Sequence, residues 1–331
     1  MGLNQKQLAG QLGVSQMTIS RVINNRTGVS SALRAKISDK ARNMGYVYNK
    51  IAMGLRGHAT KLIGLIIPDV NSSFFPQITT AIEKRASAEG YQIFLAHSHE
   101  SYARENHVIN LLRGFRVDGF IIAPAGTEDQ VANYTRLQEL NIPFVFIDRR
   151  KKMARAAAVV TDIENGSLQL GRYLIKQGYR KWGYLQGPAG MSSSKEHQQG
   201  LRKSLRGMPS KKHQWVSVTA GFGEEDGFRA VQELLNIFDP DVIIGVNDPV
   251  AIGAYQYLKS KRIRVPQDVA LAGFSDLRMT NLLEVPLTTV REFTAEIGAR
   301  AFNLLLEMMR GHHPDYQALR LKPELIIRDS T

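Results

Sequence analysis

Residues 16–21, QMTISR, carry an amide (Gln16), a thioether (Met17), a hydroxyl (Ser20) and a guanidinium (Arg21) at positions that face outward if the segment is helical. Such groups recognise a partner by hydrogen bonds, charge and apolar contact, and none has the base and orienting group that a nucleophile needs. The elements that would position them are legible on either side. Leu8, Ala9 and Leu12 recur at helical spacing, and after Gly13-Val14 the pattern resumes with Ile19, Val22 and Ile23. Gly13 suits a tight turn because it tolerates positive φ, and Ala9 is small where a second helix must cross closely. Ser15 is a good N-cap for that second helix. A third helix is expected over about 31–44, with Leu33, Ile37 and Ala41 inward and Gly45 ending it. The pattern predicts a helix-turn-helix whose second helix enters the DNA major groove.

The distribution of charge agrees. The chain of 331 residues has a formal net charge of +13, and residues 1–61 hold ten Lys or Arg against one acid, Asp39. The other 270 residues hold 33 basic and 29 acidic side chains. Cationic charge concentrated on a small unit points to a polyanionic partner. With 43% apolar residues the chain can build cores for two or three compact units. It has no cysteine, which excludes disulfide frameworks and thiolate metal sites and suits a reducing compartment. No apolar run approaches the ~18 residues of a membrane helix, and no export-signal pattern opens the sequence.

Residues 49–61, NKIAMGLRGHATK, read as a short basic helix with Ile51, Ala52 and Leu55 as its apolar members, weakened by Gly54 and Gly57. Well below ~12 residues, it would be marginal alone, as a conditionally folded hinge must be. From Leu62 onward, apolar strands alternate with amphipathic helices. One series is expected at 62–68, 91–97, 118–124, 143–149 and 157–162, and a second at 181–187, 215–221, 241–247 and 269–275. Near-continuous apolar strands between helices imply parallel sheets covered on both faces. The expected fold is an all-α helix-turn-helix headpiece followed by an α/β core of two doubly wound lobes, with ligands bound in the cleft beyond the strands' carboxyl ends.

The segments VSQMTISRVINN, VSSALRAKI, MGYVYNKIAMGLRG and IGLIIPDVNSSFFPQITTAIEKRA resemble the lactose-repressor (LacI/GalR) family of bacterial transcription regulators, and the likeness runs over nearly the whole chain. It implies a DNA-binding headpiece over 1–48, a hinge helix or linker over 49–61 and a periplasmic-binding-protein-like core over 62–331. Within that core a proximal lobe takes 62–160 and 291–319, and a distal lobe takes 161–290 and 320–331. The resemblance assigns base reading to Gln16 and Met17, with Arg21 also on DNA. Gln can pair bidentately with adenine, and Met offers apolar contact to a thymine methyl. Thr18, Ser20, Asn24, Asn25 and Ser30 are expected at phosphates and Asn49, Ala52 and Leu55 in the minor groove, where Leu55 wedges into the central base step. The implied partner is a palindromic double-stranded operator gripped by a homodimer of matching symmetry. No heptad-rich tail follows LKPELIIRDST to join dimers into tetramers.

The same resemblance places a small-molecule effector near Asn71, Phe74, Phe75, Asp148, Phe222, Asn247 and Asp248. Carboxylates and amides suit vicinal hydroxyls, and an aromatic face suits the apolar side of a ring. Each residue also has a bland use: Asp69 and Asp248 stand where helix caps belong, and one Phe of the pair is expected in the core. Two positions depart from the family pattern. His197 stands where an Arg usually grips the effector, and Ser275 replaces the first of two acids, leaving Asp276. A permanent bidentate donor becomes a titratable ring, and a carboxylate becomes a hydroxyl. Either the effector is an unusual sugar, a sugar acid or a sugar phosphate, or the pocket has lost ligand control. No cofactor or metal is expected: GPAGMSSS lacks the full GxGxxG spacing, and His97, His99, His312 and His313 lack matching partners. With no G-x-S-x-G or paired catalytic carboxylates, an enzyme is not expected either. The expected function is an effector-controlled repressor, cytoplasmic and nucleoid-associated in a bacterium. The alternative is a two-lobed sugar-binding receptor without direct gene control.

Overall fold

The computed structural model describes residues 5–23, 27–44, 59–71, 73–206, 213–312 and 318–331. The chain divides into two compact units, Met1–Thr60 and Lys61–Thr331. The first is built from α1 (Gln5–Leu12), α2 (Gln16–Ile23) and α3 (Ser31–Asn43). Among the described residues its core is six buried side chains, Leu8, Ala9, Ile19, Val22, Ile37 and Ala41, two from each helix. Gly13 takes φ +61° in the turn, and the Val14 amide closes that turn on the Ala9 carbonyl at 3.1 Å. Ser15 caps α2 by accepting from the Thr18 amide at 3.0 Å, and Ser30 caps α3 through the Leu33 amide at 3.3 Å. The Arg34 guanidinium donates to the Val22 carbonyl at 3.2 Å and so ties α3 to the end of α2.

The second unit contains two parallel sheets. Six strands form the first: β1 (Leu62–Ile67), β2 (Gln92–His97), β3 (Gly119–Ile122), β4 (Phe144–Ile147), β5 (Ala157–Thr161) and, much later, β11 (Leu319–Leu321). Their order is β11-β5-β4-β3-β1-β2. On β1, Ile63, Leu65 and Ile67 join one core with α4 (Phe74–Ala88) and α11 (Thr294–Met309), while Leu62 and Ile66 join another with α5 (Tyr102–Gly114) and α6 (Ala132–Glu139). Period-two side-chain alternation thus gives each sheet face its own helical cover. Gly64 is required on the second face, because a Cβ there would lie 2.7 Å from the Phe120 ring. The edge strand β2 departs from the near-continuous burial that its apolar sequence suggests: Phe94 and Leu95 remain 39% and 44% exposed. It is hydrogen-bonded on one side only, to β1.

The second sheet has the order β7-β6-β8-β9, with β6 (Lys181–Gln186), β7 (Gln214–Thr219), β8 (Val242–Gly245) and β9 (Ala270–Ala272). Its helices are α7 (Ile163–Gln177), α8 (Ser192–Ser204), α9 (Glu224–Ile237) and α10 (Asp248–Ser260). The strand β10 (Thr289–Arg291) bridges to the segment after β9 and pairs antiparallel with β12 (Glu324–Ile326). The chain therefore passes between the two lobes three times, after β5, after β10 and after β11. Multiple parallel crossovers are the architecture in which lobes close about a cleft.

Candidate nucleic-acid interface and ligand cavity

In the first unit, burial of Ile19 and Val22 fixes which side of α2 faces outward. Gln16, Met17 and Arg21 are exposed, Met17 to 65%, and Thr18 and Ser20 are half-buried. The Thr18 hydroxyl lies 2.9 Å from that of Ser15, beside the cap, and exposed Ser30 begins α3. Lys6, Lys36, Lys40 and Arg42 are exposed on α1 and α3. Asn24 and Asn25, with Asn49, Ala52 and Leu55 of the expected hinge, lie outside the described residues.

In the second unit, the loops at the strands' carboxyl ends surround a cavity of about 840 Å³, within the size range of small-molecule sites. The first lobe contributes Asn71, Phe74 and Phe75 after β1, Glu100 after β2, and Asp148 and Arg149 after β4. The second contributes Ser193 and His197 of α8, Phe222 after β7, Asn247 after β8 and Ser275 after β9, with Glu292 following β10. Eight of the nine residues expected at an effector thus share one cavity. Asp248 is the exception and is corrected here. It is fully buried, accepting from the Thr289 hydroxyl at 2.6 Å and from the Leu277 amide at 2.8 Å, so its carboxylate anchors the loop after β9. Burial pushes its pKa up to about 7.

Several lining groups also position one another. Asn247 caps α10 through the Val250 amide at 2.9 Å, and its side-chain nitrogen donates to the Phe222 carbonyl at 2.9 Å, fixing the loop that carries the aromatic ring. Asp69 does not cap a helix; it accepts from the Asn71 amide at 2.8 Å. Phe74 and Phe75 meet edge to face at 5.1 Å, and both are in the core and on the cavity wall. Asp148 and Ser275 hold φ of +65° and +127°. Backbone held there costs roughly 1–3 kcal/mol and collects at binding sites.

The two departures from the family pattern resolve in the tertiary structure. His197 is 7% exposed, with Nδ1 3.0 Å from the Ser167 hydroxyl and its ring edge-to-face with Phe274 at 4.3 Å. Burial pulls its pKa down to about 3, so the ring is neutral and is not the titrating group expected from sequence. The Ser275 hydroxyl donates to Glu292 Oε1 at 2.9 Å, bringing a carboxyl to the place from which the sequence had removed one. Burial, with Asp148 nearby, pushes that carboxyl up to about 8. The guanidinium that lines the cavity belongs to the first lobe, as Arg149. It binds both oxygens of Glu100 at 2.6 and 2.8 Å, pairs with Asp148 at 2.9 Å and lies 4.8 Å from the centre of the Phe222 ring. Burial opposes its charge, but Glu100 and Asp148 more than compensate and raise its pKa.

Glu196, one residue before His197, faces the other lobe. It accepts from Arg150 at 2.6 Å and from Arg320 at 3.0 and 3.1 Å, while Ser192 accepts from the Arg150 amide at 2.9 Å. Helix α8 thus joins the cavity wall to an ionic tie between lobes. Sequence reading missed Glu100, Glu292 and Glu196. The strand-end rule pointed to the loop that holds Glu100, whereas nothing local marks the other two.

Comparison with known proteins adds an independent line. Residues 60–322 match the family described as periplasmic binding proteins and sugar binding domain of LacI family, and residues 6–49 match bacterial regulatory proteins, lacI family. The HTH-type transcriptional repressor PurR of Mannheimia succiniciproducens is 27% identical over 327 residues, 98% of this chain and 97% of its own. The lac repressor dimer bound to operator and the anti-inducer ONPF aligns with a TM-score of 0.86 at 22% identity, over 100% of this chain and 99% of that one. The transcriptional regulator CelR in complex with cellobiose aligns with a TM-score of 0.74 at 26% identity, over 99% and 100% of the two chains.

Proposed function

This chain belongs to the LacI family of bacterial regulatory proteins, and on that premise we propose that it is a transcription repressor that binds a palindromic operator as a homodimer and releases or tightens its hold when a small metabolite occupies the cavity. The observation that carries the reading is the outward face of α2. A methionine 65% exposed beside Gln16 and Arg21, on a helix whose other face is core, has no part in that core among the described residues. Contact with a base edge gives it one. Excess positive charge in the first 61 residues supplies the sequence-independent part of the affinity.

Dimerisation is supported by the edge of the first sheet. Phe94 and Leu95 on β2 and Leu111 and Phe115 at the end of α5 are all more than a third exposed, and the Phe94 and Phe115 rings lie 5.7 Å apart. An apolar patch beside an open strand edge suits a second copy. Control by ligand rests on the cavity having walls from both lobes. A ligand that binds one lobe arrangement more tightly shifts the balance between arrangements by that difference in affinity.

A gel shift on a palindromic duplex at two salt concentrations tests the proposal. The expected log–log slope is about −0.9 for each phosphate neutralised. An absent or salt-insensitive shift favours the receptor alternative.

A further inference from the structure

The charges around the cavity restrict what it can hold. Among the described residues, seven carboxylic side chains line it, against one guanidinium and one imidazole. The imidazole, His197, is buried and neutral. The guanidinium, Arg149, is bound bidentately by Glu100 and paired with Asp148. Among the described residues, a carboxylate or phosphate entering this space finds no cation that is not already neutralised, and it meets carboxylates of like charge.

The acids differ in how they are compensated. Asp226 pairs with Arg229 at 2.7 Å, Glu224 accepts from the Gln256 amide at 2.9 Å, and Glu292, buried beside the Ser275 hydroxyl, keeps its proton and carries no charge. Asp69 and Glu225 line the cavity without a cation in ion-pair range among the described residues. Asp69 belongs to the first lobe and Glu225 to the first turn of α9 in the second. Closing the cleft on an uncharged ligand brings these like charges nearer, whereas a cation between them removes that penalty.

Two further features point to a ligand of this kind. Ser193 lines the cavity and is 7% exposed, and its buried hydroxyl has no hydrogen-bond partner among the described residues. A buried hydroxyl left in that state is completed by a ligand's own polar group. The protein also already places a cation here: Arg149 sits over the Phe222 ring with carboxylates around it. The walls are therefore built of the groups that solvate positive charge.

We infer that the cavity takes a polyhydroxylated ligand carrying a cationic amine, of the amino-sugar or aminocyclitol class, and excludes sugar acids and sugar phosphates. This rests on the effector reading above and narrows its ligand.

Calorimetric titration of the full chain without DNA tests it, using matched sets on several hexose and cyclitol skeletons. Each set contains the neutral parent, its amine, its acid and its phosphate. One amine is expected to bind at least about tenfold more tightly than its neutral parent, with no heat from the acid or phosphate. Asp69→Asn and Glu225→Gln are expected to weaken that amine more than its neutral parent, so that the gap between the two narrows. An acid or phosphate that binds, a parent equal to its amine, or silence from every amine at millimolar concentration overturns the inference. Because DNA is absent from the cell, a chain that shifts its operator but binds no amine contradicts only this ligand class.

Discussion

The basic outer face of the first unit and the acidic cavity of the second solve opposite problems with opposite charge. The first holds itself together with six buried side chains and turns its basic groups outward, where phosphates can reach them. The second surrounds a cavity with acids and buries its one lining guanidinium among them. The first unit therefore has little stability to lose and a surface that reads by exposure. The second has cores on both faces of its first sheet and a site whose chemistry is set by burial. A unit of about 40–60 residues is marginal on its own, so loss of one core residue there should separate reading from the rest of the molecule.

The largest expected effect follows directly. Ile37→Ala, at a fully buried position in that small core, should cost about 2–5 kcal/mol locally and abolish specific DNA binding in a gel shift. The main thermal unfolding transition of the second unit should be unchanged. Equal damage to both would show that the units are not independent. On the other side, Glu292→Gln should affect stability and not reading. In the folded chain the Glu292 carboxyl holds its proton up to about pH 8, whereas in the unfolded chain it releases it near 4.5. Between those values rising pH favours unfolding of the natural protein, by about 1.4 kcal/mol per unit at most. The variant's advantage in thermal stability should grow from pH 5 to 8, by about 3–4 kcal/mol in total, and then level off. A pH-independent difference would contradict a buried, protonated Glu292. Smallest and most selective is Met17→Ala. It should relax preference at one or two base pairs per half-site, by about 1–3 kcal/mol, with no change in melting temperature. An unchanged binding motif would remove Met17 from base reading.

The same contrast explains what sequence could disclose. The headpiece is encoded locally: Leu8, Ile19 and Ile37 each belong to their own helix's set of apolar residues at helical spacing, Gly13 takes the positive φ its turn needs, and Ser15 caps as its type suggests. Strands buried on both faces, such as Leu62–Ile67, announce themselves as unbroken apolar runs. The cavity is legible only as a set of strand ends. Asn71, Asp148, Phe222 and Asn247, which the family resemblance places at those strand ends, line one space, but neither the resemblance nor the strand-end rule says what each side chain faces. His197 looked titratable until Phe274 and Ser167 enclosed it. Asp248 looked available until Thr289 and Leu277 took its oxygens. Glu292 was invisible because its link to Ser275 joins loops far apart in sequence.

The most direct test of the central claim is selection of the purified chain against a pool of random duplexes. The account predicts enrichment of a two-fold symmetric motif, bound with steep salt dependence. Recovery of no symmetric motif, from protein whose headpiece is shown to be folded, would contradict it.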